Sequence, residues 1–262
     1  GRFDVGRGVT LGTSEHEAVM ADLKMVADYL EILRDAKVPV LWRPLHEIDG
    51  GWFWWTDREQ PENTAELWRV MFNYFVKERE LHNLIWVWNL AHHAGKLRNK
   101  DASFDEHVQY RKRFYPGDGF VDIASIDAYG NPELGWGKKA GDGSCRKAYE
   151  LVKAIAPGKM IAMAEAAGLP DPDAIEKGGP PWIYCLSWWA GSGNAVEVLR
   201  HQYAHRRFTT LDELPDLVGT NLAPEVWISA PGNGASVEAK TVEISGRALD
   251  RDGNLEDVRV YA

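Results

Sequence analysis

Val38-Pro39-Val40-Leu41-Trp42-Arg43-Pro44-Leu45-His46-Glu47 is the stretch from which the rest of the chain can be read. Upstream of it Val19, Leu23, Val26, Leu30 and Leu33 recur at alternating spacings of four and three, the signature of one helical face, with Ser14 as N-cap and an end near Lys37. A short apolar run directly after a helix reads as a buried parallel strand, so the polar residues from Arg43 to Glu47 sit just past its C-terminal end. The same order repeats downstream. Asn63 with Glu66 predicts a capping box opening an amphipathic helix through Trp68, Met71, Tyr74 and Phe75, and 84–88 (LIWVW) is the next strand. A helix over 104–113 and the Pro116-Gly117-Asp118-Gly119 turn lead into a strand at 121–126. Ser144 is read as the cap of a helix to Ala156, stopped by Pro157-Gly158 before a strand at 160–164, and 182–187 is a fifth strand followed by a helix over 194–205.

Strands alternating with helices at this spacing predict an α/β fold with a parallel sheet. Neither GxGxxG nor GxxxxGK[ST] occurs, which argues against a doubly wound nucleotide binder. The expected fold is a (β/α)8 TIM barrel, incomplete, with about five strands where closure takes eight. After Leu217 the pattern changes to apolar and polar residues alternating between Gly, Asn and Asp turns, as in 223–231 (APEVWISAP), 232–234 and 241–246, which is antiparallel β patterning. The expected domains are therefore 1–218 and 223–262, the second the start of an all-β sandwich, shorter than the roughly 100 residues of an immunoglobulin-type fold. Asp250 to Asn254 fits a hairpin turn better than a calcium loop, since position 255 is Leu where an EF-hand requires Gly.

Composition narrows the function. Thirty Lys and Arg against thirty-nine Asp and Glu give a net charge of -9, which repels phosphate backbones and anionic leaflets, so neither nucleic acid nor a membrane surface is expected as partner. No apolar run approaches the ~20 residues of a membrane span, and no signal-peptide h-region follows Gly1. Cys145 and Cys185 are too few for a disulfide framework and read as two buried or half-buried thiols, with their pairing open. The outlier is tryptophan, with twelve residues, clustered as Trp52, Trp54 and Trp55, as Trp86 and Trp88, and as Trp188 and Trp189. Such groups are expected to hold something flat, because an aromatic face buries a large area and a core seldom requires adjacent indoles.

Glu47 and Glu165 each end a predicted strand, and all strand ends of a barrel open on one face, so the two can converge although far apart in sequence. A carboxyl pair about 5 to 5.5 Å apart is what a retaining glycosidase requires. A single Glu at a strand end is more often a salt-bridged rim residue, but Glu47 stands among Arg43, His46, Asp49 and the aromatics Trp52 to Trp55, where apolar walls and a nearby cation can tune protonation. The His46-Glu47 pair is not a zinc motif, since HExxH needs His at position 50, which is Gly. His92-His93 is read as a surface or sugar-contacting pair. No metal and no cofactor are expected.

These motifs carry a resemblance. RPLHE (43–47) followed by Gly51-Trp52-Phe53-Trp54-Trp55, then NLIWVWN (83–89), YPGDGFVDIASIDAYG (115–130), MAEAAGLPDPD (163–173), LSWWAG (186–191) and FTTLDELP (208–215), resemble in order and spacing the glycoside hydrolase family 26 β-mannanases, members of a clan of retaining (β/α)8 glycosidases. The resemblance covers about 10–218. It implies Glu47 as general acid/base and Glu165 as nucleophile. His46 would brace Glu47 and touch the sugar, Trp52 would pack on the substrate, and Tyr129 would hydrogen-bond the nucleophile or the ring. Trp188 or Trp189 would floor the subsite, with Trp188 preferred because side chains alternate along a strand. Trp42, Trp68 and Trp86 are assigned to the core. The implied partner is a β-mannan polysaccharide, handled by a secreted monomer. Within the family, β-1,3-xylan and mixed-linkage β-glucan are alternative substrates, and outside it the rivals are a non-catalytic glycan-binding protein and a scaffold. By family pattern the strand ending at Glu47 is the fourth, which implies an N-terminally truncated chain with two exposed sheet edges and reduced stability on its own. The tail from about 223 resembles the start of a bacterial immunoglobulin-like domain.

Overall fold

The computed structural model describes residues 3–97, 102–129, 143–188, 196–210, 213–214, 225–230 and 245–249, the last two as backbone. Trp189 and the turns at 232–234 and 250–254 lie outside the described residues. The chain divides into two compact units, Gly1–Gln202 and Tyr203–Ala262.

The first unit begins with helices α1 (Val5–Gly8) and α2 (Ser14–Asp35), strand β1 (Val40–Trp42) and α3 (Pro61–Asn73), which runs on into a π-helical turn at Tyr74–Glu78. There follow β2 (Leu84–Leu90), α4 (Phe104–Lys112), β3 (Ile123–Ala128), α5 (Arg146–Ile155), β4 (Met160–Ala166), α6 (Pro172–Glu176), β5 (Cys185–Ser187) and α7 (Val196–Tyr203), whose last residue belongs to the second unit. The five strands form one sheet in the order β1-β2-β3-β4-β5, every pair parallel. Each strand lies beside its neighbour in the chain, the connectivity of a barrel wall, so the fold is α/β with five staves of a (β/α)8 barrel, as the sequence predicts.

Every residue of β3 is buried and all but one of β2, the two-sided burial of a parallel sheet covered by helices. β1 begins at Val40 because Pro39 has no N–H for the ladder, whereas Val40 N donates to the Asn83 carbonyl at 2.9 Å. α2 buries Val19, Leu23, Ala27 and Leu30 along one stripe.

Three predicted caps move. Thr13, not Ser14, caps α2, accepting from His16 N at 3.1 Å. α3 opens at Pro61, which suits a first turn whose N–H groups have no intrahelical partner; Asn63 lies within that turn and its amide donates to Asp57 at 2.9 Å. α5 starts after Cys145, which is left-handed at φ 58°, so Ser144 does not cap it. The capping box forms instead at α4, between Ser103 and Glu106. The regular fifth strand, Cys185–Ser187, is shorter than 182–187, although Ile183 N and the Tyr184 carbonyl also bond to β4.

Trp68 and Trp86 are buried as expected, their rings 5.6 Å apart edge to face, and half-buried Trp42 packs on Phe75 at 5.8 Å. The grouping of Trp86 with Trp88 as a platform is corrected. Both are core, and the Trp88 indole donates to the Phe114 carbonyl at 3.2 Å. Cys145 and Cys185 are both half-buried. No helix among the described residues is long and apolar enough to cross a membrane. In the second unit β6 (Glu225–Ala230) pairs antiparallel with β7 (Ser245–Leu249), the pairing direction the alternation predicts.

Candidate active site

Glu165 is the sixth residue of β4 and 6% exposed, in register with Asp127 at the C-terminal end of β3. Arg43, one residue past β1, spans the sheet end: one guanidinium nitrogen donates to Glu165 Oε1 and the other reaches Asp127 Oδ1 at 3.3 Å. The Tyr129 hydroxyl donates to Glu165 Oε2 at 2.7 Å. Both carboxylate oxygens are therefore held, one by a cation and one by a phenol. Asn89, near the end of β2, donates to Asp127 Oδ1 at 2.8 Å and to Ser125 Oγ at 3.1 Å.

Burial alone would lower the pKa of Arg43, but the charges of Asp127 and Glu165 outweigh it and hold the guanidinium firmly protonated. Burial pushes Asp127 up to about 8, with Arg43 opposing and Glu165 adding to the rise. Burial and the bond to Glu165 raise Tyr129, so it remains a donor.

Glu47 is reached through strained backbone. Leu45 and Glu47 are both left-handed, at φ 49° and 50°, a conformation that costs a non-glycine residue about 1 kcal/mol or more. Asn89 holds the segment there: its Oδ1 accepts from Glu47 N at 2.7 Å and its carbonyl from Ile48 N at 3.1 Å. The Glu47 carboxylate, 8% exposed, accepts from the Trp52 indole N–H at 2.7 Å and lies 3.7 Å from His92 Nδ1. The Trp52 ring folds back over Gly50, where a Cβ would come within 2.5 Å of it, so a side chain at 50 would displace the indole. The His92 ring lies 5.8 Å from Trp52 and 5.7 Å from Tyr129, bridging the surroundings of the two glutamates.

The structure thus brings Glu47, Trp52, Glu165 and Tyr129 to one end of the sheet. His46 is placed differently from the expectation. Its ring packs on Phe53 at 4.6 Å and Trp55 at 5.6 Å, and its carbonyl accepts from the Trp55 indole, so the carboxylate of Glu47 is braced by Trp52 and His92 instead. Burial, with the Arg43 charge, lowers its pKa and favours the neutral imidazole. Trp188 follows β5 directly and is 64% exposed. Arg43 and His92 are named from sequence only as a nearby cation and as half of a surface or sugar-contacting pair, and Asn89 and Asp127 are missed. The signal lay in the polar Asn89 and Asp127 interrupting the ends of otherwise apolar strands. As for a metal, Asp171, Asp173 and His201 lie close together on the surface, but Asp171 caps α6 and Asp173 engages His201 at 2.9 Å.

Two carboxylates at the ends of β1 and β4 do not alone name a reaction, and comparison with known proteins supplies the family. Residues 8–211 match the model of glycosyl hydrolase family 26. The chain belongs to glycosyl hydrolase family 26. It is 33% identical over 219 residues to a mannan endo-1,4-beta-mannosidase of Thermothelomyces thermophilus, a match covering 81% of this chain and 39% of that protein. Among solved structures, the family 26 chain resembles a beta-mannanase from a symbiotic protist of the termite Reticulitermes speratus, complexed with gluco-manno-oligosaccharide, at TM-score 0.66 and 34% identity, over 82% of this chain and 60% of the other. GH26A from Muricauda sp. MAR_2010_75 matches at TM-score 0.65 and 31% identity, over 80% and 63%. This family 26 sequence therefore spans between about two fifths and three fifths of the lengths of these relatives.

Proposed function

We propose that the chain carries the catalytic machinery of a retaining endo-β-1,4-mannanase, hydrolysing β-mannan, galactomannan or glucomannan by double displacement. The observation that carries the reading is the unequal support of the two glutamates. A cation and a phenol grip Glu165, while Glu47 has an indole and an imidazole. A carboxylate held at both oxygens is fixed in the orientation an attacking nucleophile needs, whereas Glu47, which accepts one bond from the Trp52 indole, has an oxygen left to face a leaving group. Relatives named mannan endo-1,4-beta-mannosidase and a neighbour solved with a gluco-manno-oligosaccharide support the substrate class.

In the first step protonated Glu47 gives its proton to the glycosidic oxygen as a Glu165 oxygen bonds to the anomeric carbon, the aglycone leaving as an alcohol and the glycosyl group remaining as an ester. In the second, ionised Glu47 takes a proton from water, whose oxygen bonds to the anomeric carbon and breaks the ester. Configuration is retained. Arg43 and Tyr129 hold Glu165 in line, and His46, Trp52, Trp188 and Trp189 serve as sugar-contacting side chains. No step requires a cofactor. We assign residues 1–218 to the catalytic domain and 223–262 to the start of an immunoglobulin-like β domain. Because the substrate is a polymer too large to enter a cell, the enzyme acts outside it, as a monomer.

The test is turnover of mannan, glucomannan, lichenan and β-1,3-xylan by the chain and by Glu47→Ala and Glu165→Ala. The mannans should be cut fastest, and each substitution should lower kcat by on the order of 10³-fold or more. Activity in both variants equal to the parent removes the enzymatic reading, and preference for lichenan or xylan moves the substrate.

A further inference from the structure

Asp49 and Arg111 form an ion pair at 2.9 Å in which both side chains are fully buried, two residues from Glu47. Burying two charges is costly and contributes little net stability, so such a pair calls for another account of its presence. Its position supplies one. Asp49 Oδ1 accepts from the Ala91 N–H at 2.8 Å, and Arg111, projecting from α4, donates to the Ala91 carbonyl at 2.7 Å. Both polar groups of the peptide backbone at Ala91 are thus occupied by the pair. Ala91 precedes His92, the imidazole beside Glu47. The return contact comes from the backbone, as Gly95 N donates to the Asp49 carbonyl at 2.8 Å. At Gly95 the two segments touch so closely that a Cβ would lie 2.3 Å from the Gly50 carbonyl oxygen.

The segment carrying Glu47 and Trp52 and the segment carrying His92 are therefore fastened at three points, none of which reaches a reacting atom. Glu47 needs such fastening because its own backbone is left-handed and relaxes without restraint. We infer that Asp49 and Arg111 are positioning residues which, by locking the 47–52 segment against the 91–95 segment, set the Glu47 carboxyl at the distance and angle from which it protonates the leaving oxygen. The inference rests on the reading of Glu47 as proton donor.

The account makes a particular demand. Misplacing the acid harms a substrate whose leaving group needs a proton and spares one whose leaving group does not, whereas general loosening of the fold harms both. The experiment uses the full chain with Asp49→Asn and Gly95→Ala, the second disturbing the same contact from the other side without touching a buried charge. For each, kcat/KM is measured on mannan and on a 2,4-dinitrophenyl β-mannobioside, whose leaving group departs unassisted, and thermal unfolding checks that the variant is folded. Glu47→Ala is the reference. The folded variants should lose about 30-fold or more on mannan and less than about 3-fold on the aryl glycoside, since a displacement near 1 Å can cost about 10²-fold. Should Asp49→Asn not fold, Gly95→Ala decides alone. Equal losses on both substrates, or none on mannan, overturn the clamp. Equal losses on both in Glu47→Ala overturn the reading of Glu47 itself, a distinguishable result.

Discussion

The two halves of the candidate site are built on opposite principles. Glu165 belongs to a regular strand and is gripped at both oxygens, by the Arg43 guanidinium on one and the Tyr129 hydroxyl on the other. Glu47 belongs to an irregular segment with positive φ and is held by one bond from the Trp52 indole, with the His92 imidazole 3.7 Å away. One fold thereby gives the same residue type two environments. Glu165 is gripped at both oxygens and Glu47 at one, so the proposed division into nucleophile and acid/base follows from how firmly each carboxylate is oriented. Asn89 joins the halves, with its amide nitrogen on Asp127 and its amide oxygen on the Glu47 backbone.

The comparison breaks most sharply through Arg43 and Trp52. Arg43→Met should lower kcat/KM on mannan about 10²- to 10³-fold, the scale of losing one preorganised charge partner. Trp52→Phe keeps an aromatic surface and removes only the 2.7 Å bond to Glu47, so a loss nearer 10-fold is expected, from a hydrogen bond of about 1.5 kcal/mol. Equal losses from the two variants would show that the halves are not differently built.

A smaller effect sharpens it further. Asp127 in the folded protein keeps its proton up to about 8, against an ordinary value of 3.8. A folded pKa raised in this way contributes stability that is fully present below about pH 4 and is lost as the pH rises through about 8. The slope is at most about 1.4 kcal/mol per pH unit. Asp127→Asn should flatten the fall of Tm between those limits. An unchanged slope would mean that Arg43 and Asn89 already hold Asp127 ionised.

The alternation of apolar runs and helical stripes made the staves legible, because burial on both faces of β2 and β3 leaves an unbroken apolar run that no loop would carry. Glu47 and Glu165 were legible for a related reason, as charges abruptly following such runs. What the sequence did not show was depth and partnership. Trp88 is as aromatic as Trp52, and only the covering α4 segment makes one core and leaves the other exposed. The cap of α2 falls on Thr13 because neighbouring residues compete for the same backbone donors, and α3 opens at Pro61 with no side-chain cap at all, which pattern alone does not reveal. His92 replaced His46 as the imidazole beside Glu47 because that choice depends on how the 91–95 segment is tied to Asp49, a contact between distant parts of the chain.

Chemical rescue with azide tests the central claim most directly. With an activated aryl β-mannoside, azide added to Glu165→Ala takes the place of the missing nucleophile and should yield the α-glycosyl azide, whereas added to Glu47→Ala it attacks the glycosyl ester from the other face and should yield the β-glycosyl azide. Opposite anomers from the two variants are the predicted result. The same anomer from both, or the pattern reversed, would contradict the assignment of the two glutamates.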